Sequence, residues 1–215
     1  MSTILDGIEE FVAEIEKAGI YQDIELGHII ARGKSVSFRF WMKIKHRVDF
    51  RGKTVLDLGC NIGYFCFKAR ESGAKKVLGI DIDAEVIEIA RKLRDYKGLD
   101  CIEFICGDVE EMEYGARDIT LLINMPHNLF DNSSFMRKVF SGSKEVVCIL
   151  QMRPGSDIPV GEIEDLDSFN EYAKVAKFAD LAGFRSIDEV DMHYGNKGIA
   201  IFRKSGINDR PLLGG

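Results

Sequence analysis

Val55-Leu56-Asp57-Leu58-Gly59-Cys60-Asn61-Ile62-Gly63-Tyr64-Phe65 changes character halfway along. Through Leu58 it is a short apolar run, which reads as a strand buried on both faces, with one acid, Asp57, near its end. Gly59 and Gly63 flank a turn, and the residues beyond it read as a helix to about Ser72. Gly59 lets the backbone turn where a side chain would collide with a ligand, and Gly63 lets the helix start approach ligand and sheet closely. A Gly-rich strand-to-helix turn in an open parallel sheet places a ligand at the carboxyl ends of the strands.

Two more acids extend the pattern. Val77-Leu-Gly-Ile-Asp81 ends a second strand 24 residues after Asp57. A carboxylate there can accept both hydroxyls of a ribose. Cys106-Gly-Asp108 ends a third strand, where a carboxylate can accept from an adenine amino group. Three strand ends, each with an acid, point at one nucleoside. The plain alternative is that Asp81 and Asp108 are turn or cap residues.

Around this centre the chain is rhythmic. Strands are expected at Thr54–Leu58, Lys76–Ile80, Ile102–Cys106, Ile119–Met125 and Val146–Met152, with a helix at Ala84–Asp95 between the second and third. A helix at Phe169–Ala182 precedes strands at Arg185–Met192 and Gly198–Arg203. Apolar strands alternating with helices give a parallel sheet covered on both faces. The short turn Tyr194-Gly195-Asn196-Lys197 makes the final pair an antiparallel hairpin. The fold class is therefore α/β, a doubly wound, mostly parallel seven-stranded sheet with an antiparallel last strand. Residues 3–18 carry Ile4, Ile8, Phe11, Val12 and Ile15 at helical spacing. Residues 35–50 read as a second helix, with Phe38, Trp41, Met42 and Ile44 as its apolar members. The expected organisation is a helical cap over 1–50, a core domain over 51–204 and a flexible tail over 205–215.

The 215 residues suit one domain, and the 46% hydrophobic and 30% charged composition is that of a globular chain. No run approaches the roughly 20 apolar residues of a membrane span, and the acidic start lacks the features of an export signal. Five cysteines without a CxxC pair argue against a zinc site or disulfide framework, so no metal and a cytoplasmic location are expected. A net charge of −6 excludes a generally basic nucleic-acid binder but leaves room for a local basic face.

DLGCNIG, VLGID and CGDVEEM, taken with the reversed last strand, resemble the class I S-adenosylmethionine-dependent methyltransferases over about residues 50–204. The resemblance implies S-adenosyl-L-methionine as cofactor. It makes Asp57 and Gly59 part of the methionine-side pocket, Asp81 the ribose acid and Asp108 the adenine acid. Cys60, Asn61 and Gly63 in the turn, Ile82 and Val109 beside the two acids, and Asn124 at the end of the fourth strand are implied as further cofactor contacts. Asn61 stands where many members have glycine, a mild departure because Asn tolerates left-handed backbone angles. A nicotinamide-binding protein is the nearest competitor, but it favours the full G-x-G-x-x-G spacing, which this turn lacks.

The acceptor side is less defined. Asn124-Met-Pro-His127 follows the fourth strand, so His127 is expected at the carboxyl edge of the sheet as a base or acceptor contact. Its alternative is a cap of the following turn. Tyr64 is expected either to line the pocket or to pack under its helix. Arg153 is an anion contact or a solvated loop residue. Residues 32–53 carry Arg32, Lys34, Arg39, Lys43, Lys45, Arg47, Arg51 and Lys53 against Asp49 alone, with Phe38, Phe40, Trp41 and Phe50 interleaved. This is either an RNA-contacting face or an amphipathic helix with a solvated basic side. RGKTVLDLGCNIGY after the N-terminal helix also resembles, more weakly, the group related to methyltransferases of the tRNA wobble uridine, some of which use a carboxylated cofactor. The leading expectation is a methyltransferase acting on a small-molecule acceptor. RNA is the alternative acceptor, and a non-catalytic partner subunit that keeps the fold is the alternative role.

Overall fold

The structure is a computed structural model that describes residues 2–35, 37–151, 171–192 and 197–206. Helix α1 (Ser2–Ala18) leads into a hairpin of β1 (Ile24–Leu26) and β2 (Ile29–Ala31), and then into α2 (Ser37–Ile44). The chain alternates from there through β3 (Thr54–Leu58), α3 (Tyr64–Glu71), β4 (Lys76–Asp81), α4 (Ala84–Lys97), β5 (Ile102–Cys106) and β6 (Arg117–Ile123). A 3₁₀ turn, His127–Asp131, follows, and then α5 (Ser133–Ser141), β7 (Ser143–Gln151), α6 (Glu171–Leu181), β8 (Phe184–Met192) and β9 (Lys197–Lys204).

The large sheet has seven strands in the order β5-β4-β3-β6-β7-β9-β8. Pairing is parallel from β5 through β7, and β9 runs antiparallel to both β7 and β8. The order reverses at β3, whose neighbours are β4 and β6. That reversal opens a crevice at the strand ends, where ligands of such sheets bind.

Period-two alternation divides the core in two. Val55, Val77, Ile119 and Leu121 join α1, α2, α3 and α4 on one face. Leu56, Leu58, Leu78, Ile80 and Leu122 join α5 and α6 on the other. Phe140 of α5 anchors the second face, meeting Phe184 and Phe202 edge-on at centroid distances of 5.0 and 5.9 Å. Central β3 is buried from Val55 to Leu58, whereas edge strand β5 exposes Glu103 between buried Ile102 and Phe104. Helices close with their own local devices. Asp83 caps α4 by accepting from Glu85 N and Val86 N, and Gly98 ends it at φ 64°. Asn132 caps α5 through Ser134 N and Phe135 N.

Several expectations need correction. The segment before residue 51 is not purely helical, because β1 and β2 form a hairpin within it. It shares one hydrophobic cluster with the sheet, through Ile8, Val12, Ile24 and Trp41. Helix α2 covers eight residues rather than 35–50. Phe38 is 45% exposed, and Phe40 takes its place in the core beside Trp41 and Ile44. A turn of 100° per residue carries Phe38 off the face that those three share. Strand β6 stops at Ile123 rather than Met125, because Asn124 turns left-handed at φ 55°. Helix α5 was not anticipated. Arg153, the turn at Tyr194–Asn196 and the tail from 207 onward lie outside the described residues.

Candidate functional site

A cleft of about 340 Å³ opens where β3, β4, β5 and β6 end. That volume lies within the range of roughly 300–1,000 Å³ typical of small-ligand sites. Its floor is the turn after β3. Gly59 N and Cys60 N donate to Ile80 O at 2.8 and 3.0 Å, which ties the turn to the end of β4. Gly59 has φ 70°, and a Cβ there would lie 2.6 Å from Met125 Sδ, so a side chain would be strained and would push the Met125 thioether aside. Asn61 follows at φ 52°. Asn61 and Asn124 are the two non-glycine residues with positive φ among those described, and both line the cleft. Strained backbone of this kind gathers where a ligand is held.

Asp81 ends β4 and lines the cleft. Its Oδ2 accepts from Asn61 N at 2.8 Å and its Oδ1 from Asp83 N at 3.0 Å. The carboxylate is thereby fixed at both oxygens, each keeping acceptor capacity for a hydroxyl. Gly107 N donates to Asp81 O at 2.9 Å, which holds the next loop alongside. Asp108 in that loop accepts from Glu110 N through Oδ1 at 2.8 Å and also lines the cleft. Gly59, Asn61, Asp81, Ile82, Asp108, Val109 and Asn124 share this one lining.

Asp57 does not share it. It is 1% exposed and faces α3, where Cys66 Sγ donates to its Oδ2 at 3.2 Å. Its Oδ1 has no partner in the structure. Burial pushes the Asp57 carboxyl up to about 7, the Cys66 thiol opposes this, and the nearby Asp81 charge adds to it. Only two of the three acids therefore stand at the cleft, with Asp57 beneath its floor. Cys60 and Gly63 are buried off the lining too. A Cβ at Gly63 would meet Phe104 Cζ at 2.5 Å, so this glycine serves helix-to-sheet packing. Tyr64 packs, 3% exposed, with Lys68 Nζ 5.8 Å from its ring centroid.

The segment between α1 and β1 supplies a wall that sequence reasoning missed. Tyr21 and Gln22 line the cleft. Gln22 is 4% exposed, and its Oε1 accepts from Tyr64 N at 3.0 Å. It caps α3 from a distance, since Gly63 brings no side chain to do so. No periodicity marks a contact 42 residues away in sequence.

On the β6 side, Met125, Pro126 and Asn128 line the cleft, and Lys197 Nζ donates to Asn124 Oδ1 at 2.9 Å. His127 opens the 3₁₀ turn at the rim, its side chain 72% exposed. It is not itself on the lining, although its neighbours Pro126 and Asn128 are. Its Nδ1 is paired with the Glu171 carboxylate of α6. Among the described residues no group of His, Cys, Asp and Glu could hold a metal ion, and no helix is long and apolar enough to cross a membrane.

Strand order, reversed last strand and paired acids at adjacent strand ends together define the methyltransferase class of Rossmann-like fold. The methyltransferase-domain family matches residues 49–190, and the chain belongs to that family. Arginine N-methyltransferase 1 of Dictyostelium discoideum is 37% identical over 82 residues, which are 38% of this chain and 24% of that protein. The chain thus spans about a quarter of that relative. A candidate RNA methyltransferase from Pyrococcus horikoshii superposes with TM-score 0.58 at 21% identity, over 78% of this chain and 82% of the other. Magnesium protoporphyrin IX methyltransferase from Synechocystis, solved with bound S-adenosylmethionine, gives TM-score 0.55 at 16% identity, over 73% and 72%. These two likenesses are likenesses of fold.

Proposed function

We propose that the chain is a methyltransferase that draws its methyl group from S-adenosylmethionine and passes it to a small molecule bearing an N–H or O–H group. The observation that carries this reading is the pair Asp81 and Asp108 on one cleft, at the ends of adjacent strands β4 and β5. The residues fit an adenosyl group. Asp81 offers acceptors for ribose hydroxyls and Asp108 one for an amino group. Asn61 lines the same cleft with a buried Oδ1 that lacks a partner in the structure, and such an atom costs about 1–3 kcal/mol unless a donor reaches it.

When bound, the cofactor supplies an electrophilic methyl carbon on a sulfonium. The chain's part is to hold acceptor and cofactor close and aligned, which is worth up to roughly 7–11 kcal/mol of barrier. Met125, Pro126 and Leu129 give the acceptor side an apolar wall that limits water. His127 at the rim takes the acceptor proton as general base, a contribution of about 10²–10⁴ in rate.

Labelled S-adenosylmethionine incubated with fractionated metabolite pools tests the proposal. Label should enter a small-molecule fraction, and His127→Ala should reduce incorporation at least tenfold. If no small-molecule fraction is labelled although the cofactor binds, the small-molecule reading falls, and only if RNA fractions also stay unlabelled does the enzymatic reading give way to a non-catalytic subunit that keeps the fold.

A second reading, RNA as acceptor, is favoured by α2. Its solvent side carries Arg39 and Lys43 one turn apart, with exposed Phe38 beside them. Arg47 Nη1 continues the stripe by donating to Lys43 O at 3.1 Å. The fold neighbour from Pyrococcus horikoshii, itself a candidate RNA methyltransferase, is consistent with this reading.

A further inference from the structure

Helix α6 lies outside the cofactor cleft, yet its first turn grips the 3₁₀ turn that follows β6 at both ends. Glu171 pairs with His127 at the front of that turn, and Lys174 Nζ donates to Asp131 Oδ1 at 2.6 Å at its back. The two pairs have opposite polarity, so the turn cannot slide along the helix without placing like charges together. Glu171 is 6% exposed. It stands in the first turn of α6, where the helix dipole favours a carboxylate. A buried carboxylate needs polar partners, and one of those Glu171 has is the exposed His127 imidazole.

We infer that Glu171 is a positioning residue: it holds the Nδ1–H tautomer of His127, which leaves Nε2 as the bare nitrogen of a ring whose chain neighbours Pro126 and Asn128 line the cleft. This rests on the methyltransferase reading above. An acceptor X–H uses its lone pair to form the X–C bond, the S–C bond breaks with its pair remaining on sulfur, and the X–H proton passes to Nε2. The resulting imidazolium lies against the Glu171 carboxylate, which offsets its charge, and it later returns the proton to water. Carboxylates that support metal-bound histidines from behind contribute about 10–100-fold, and the same order is expected of Glu171 behind His127.

The test is long-range ¹⁵N NMR on histidine-labelled protein at pH 8. The His127 signal is identified among the four histidines by its loss in His127→Asn. Native protein should show Nδ1 protonated and Nε2 bare, and Glu171→Ala should shift the ring toward the Nε2–H form. With the acceptor fraction labelled above, Glu171→Ala should lower kcat about 10–100-fold and leave KM for S-adenosylmethionine unchanged. An Nε2–H ring in native protein, a tautomer indifferent to Glu171, or an unchanged kcat would each overturn the inference. Should Glu171→Ala not fold, the native tautomer alone decides. Calorimetry with S-adenosylmethionine on native protein and on His127→Asn keeps the two claims apart. Absence of binding to native protein sinks the methyltransferase reading, whereas binding with the wrong tautomer sinks only the role of Glu171.

Discussion

Asp57 shows what one residue does when packing decides its surroundings. Its place in the strand was plain from the sequence, but the face it takes was not, because that depends on α3 laying Cys66 against it. With its carboxyl raised to about 7, the folded protein holds a proton that the unfolded chain releases near pH 4. The native state therefore binds more protons across pH 4–7, and stability falls as pH rises through that window. At 1.36 kcal/mol per pH unit, the loss between pH 5 and 8 is roughly 3 kcal/mol. Asp57→Asn has no proton to lose there. Urea unfolding of cofactor-free protein should show the variant gaining on native by about that amount from pH 5 to pH 8, and parallel pH profiles would refute it. Asn61 was the more legible residue. The tolerance of Asn for left-handed angles was read from the sequence, and φ 52° agrees.

At the scale of elements, strands were easier to read than the joints between them. Six of the seven strands of the large sheet left apolar runs, β8 with Asp188, Glu189 and Asp191 being the exception, and the β1–β2 hairpin left none. Its strands have three residues each and draw their burial from α1 and α3 rather than from a pattern of their own. The same distance effect hides Gln22. Gln22→Ala strips the acceptor from Tyr64 N, a buried donor at the start of α3. A loss of about 1–2 kcal/mol is expected by thermal or urea unfolding. Because Gln22 also lines the cleft, cofactor affinity should weaken in the same variant. Unchanged stability would mean that Tyr64 N finds another acceptor.

For the whole molecule, sheet order places the chemistry. Reversal at β3 brings the ends of β4 and β5 to one side of the cleft and that of β6 to the other, so residues from 21 to 129 meet in one cavity. The strand pattern predicted that meeting for Asp81 and Asp108, each at or just after a strand end, and the family resemblance implied Asn124 beside them. Neither predicted Tyr21 and Gln22, which arrive by tertiary packing. Charge is distributed at this scale too. An acidic chain keeps a basic stripe on α2, and if that stripe contacts RNA, Lys43→Glu with Arg47→Glu should lower affinity for a single-stranded oligonucleotide and flatten its salt dependence. Equal binding by native and reversed protein would remove the RNA reading.

Isothermal calorimetry with S-adenosylmethionine addresses the cleft itself. Native protein should bind one equivalent saturably, and Asp81→Ala should weaken binding at least tenfold, about 1.4 kcal/mol. No heat from native protein at millimolar cofactor, or equal affinity in Asp81→Ala, would contradict the assignment of this cleft to an adenosyl group.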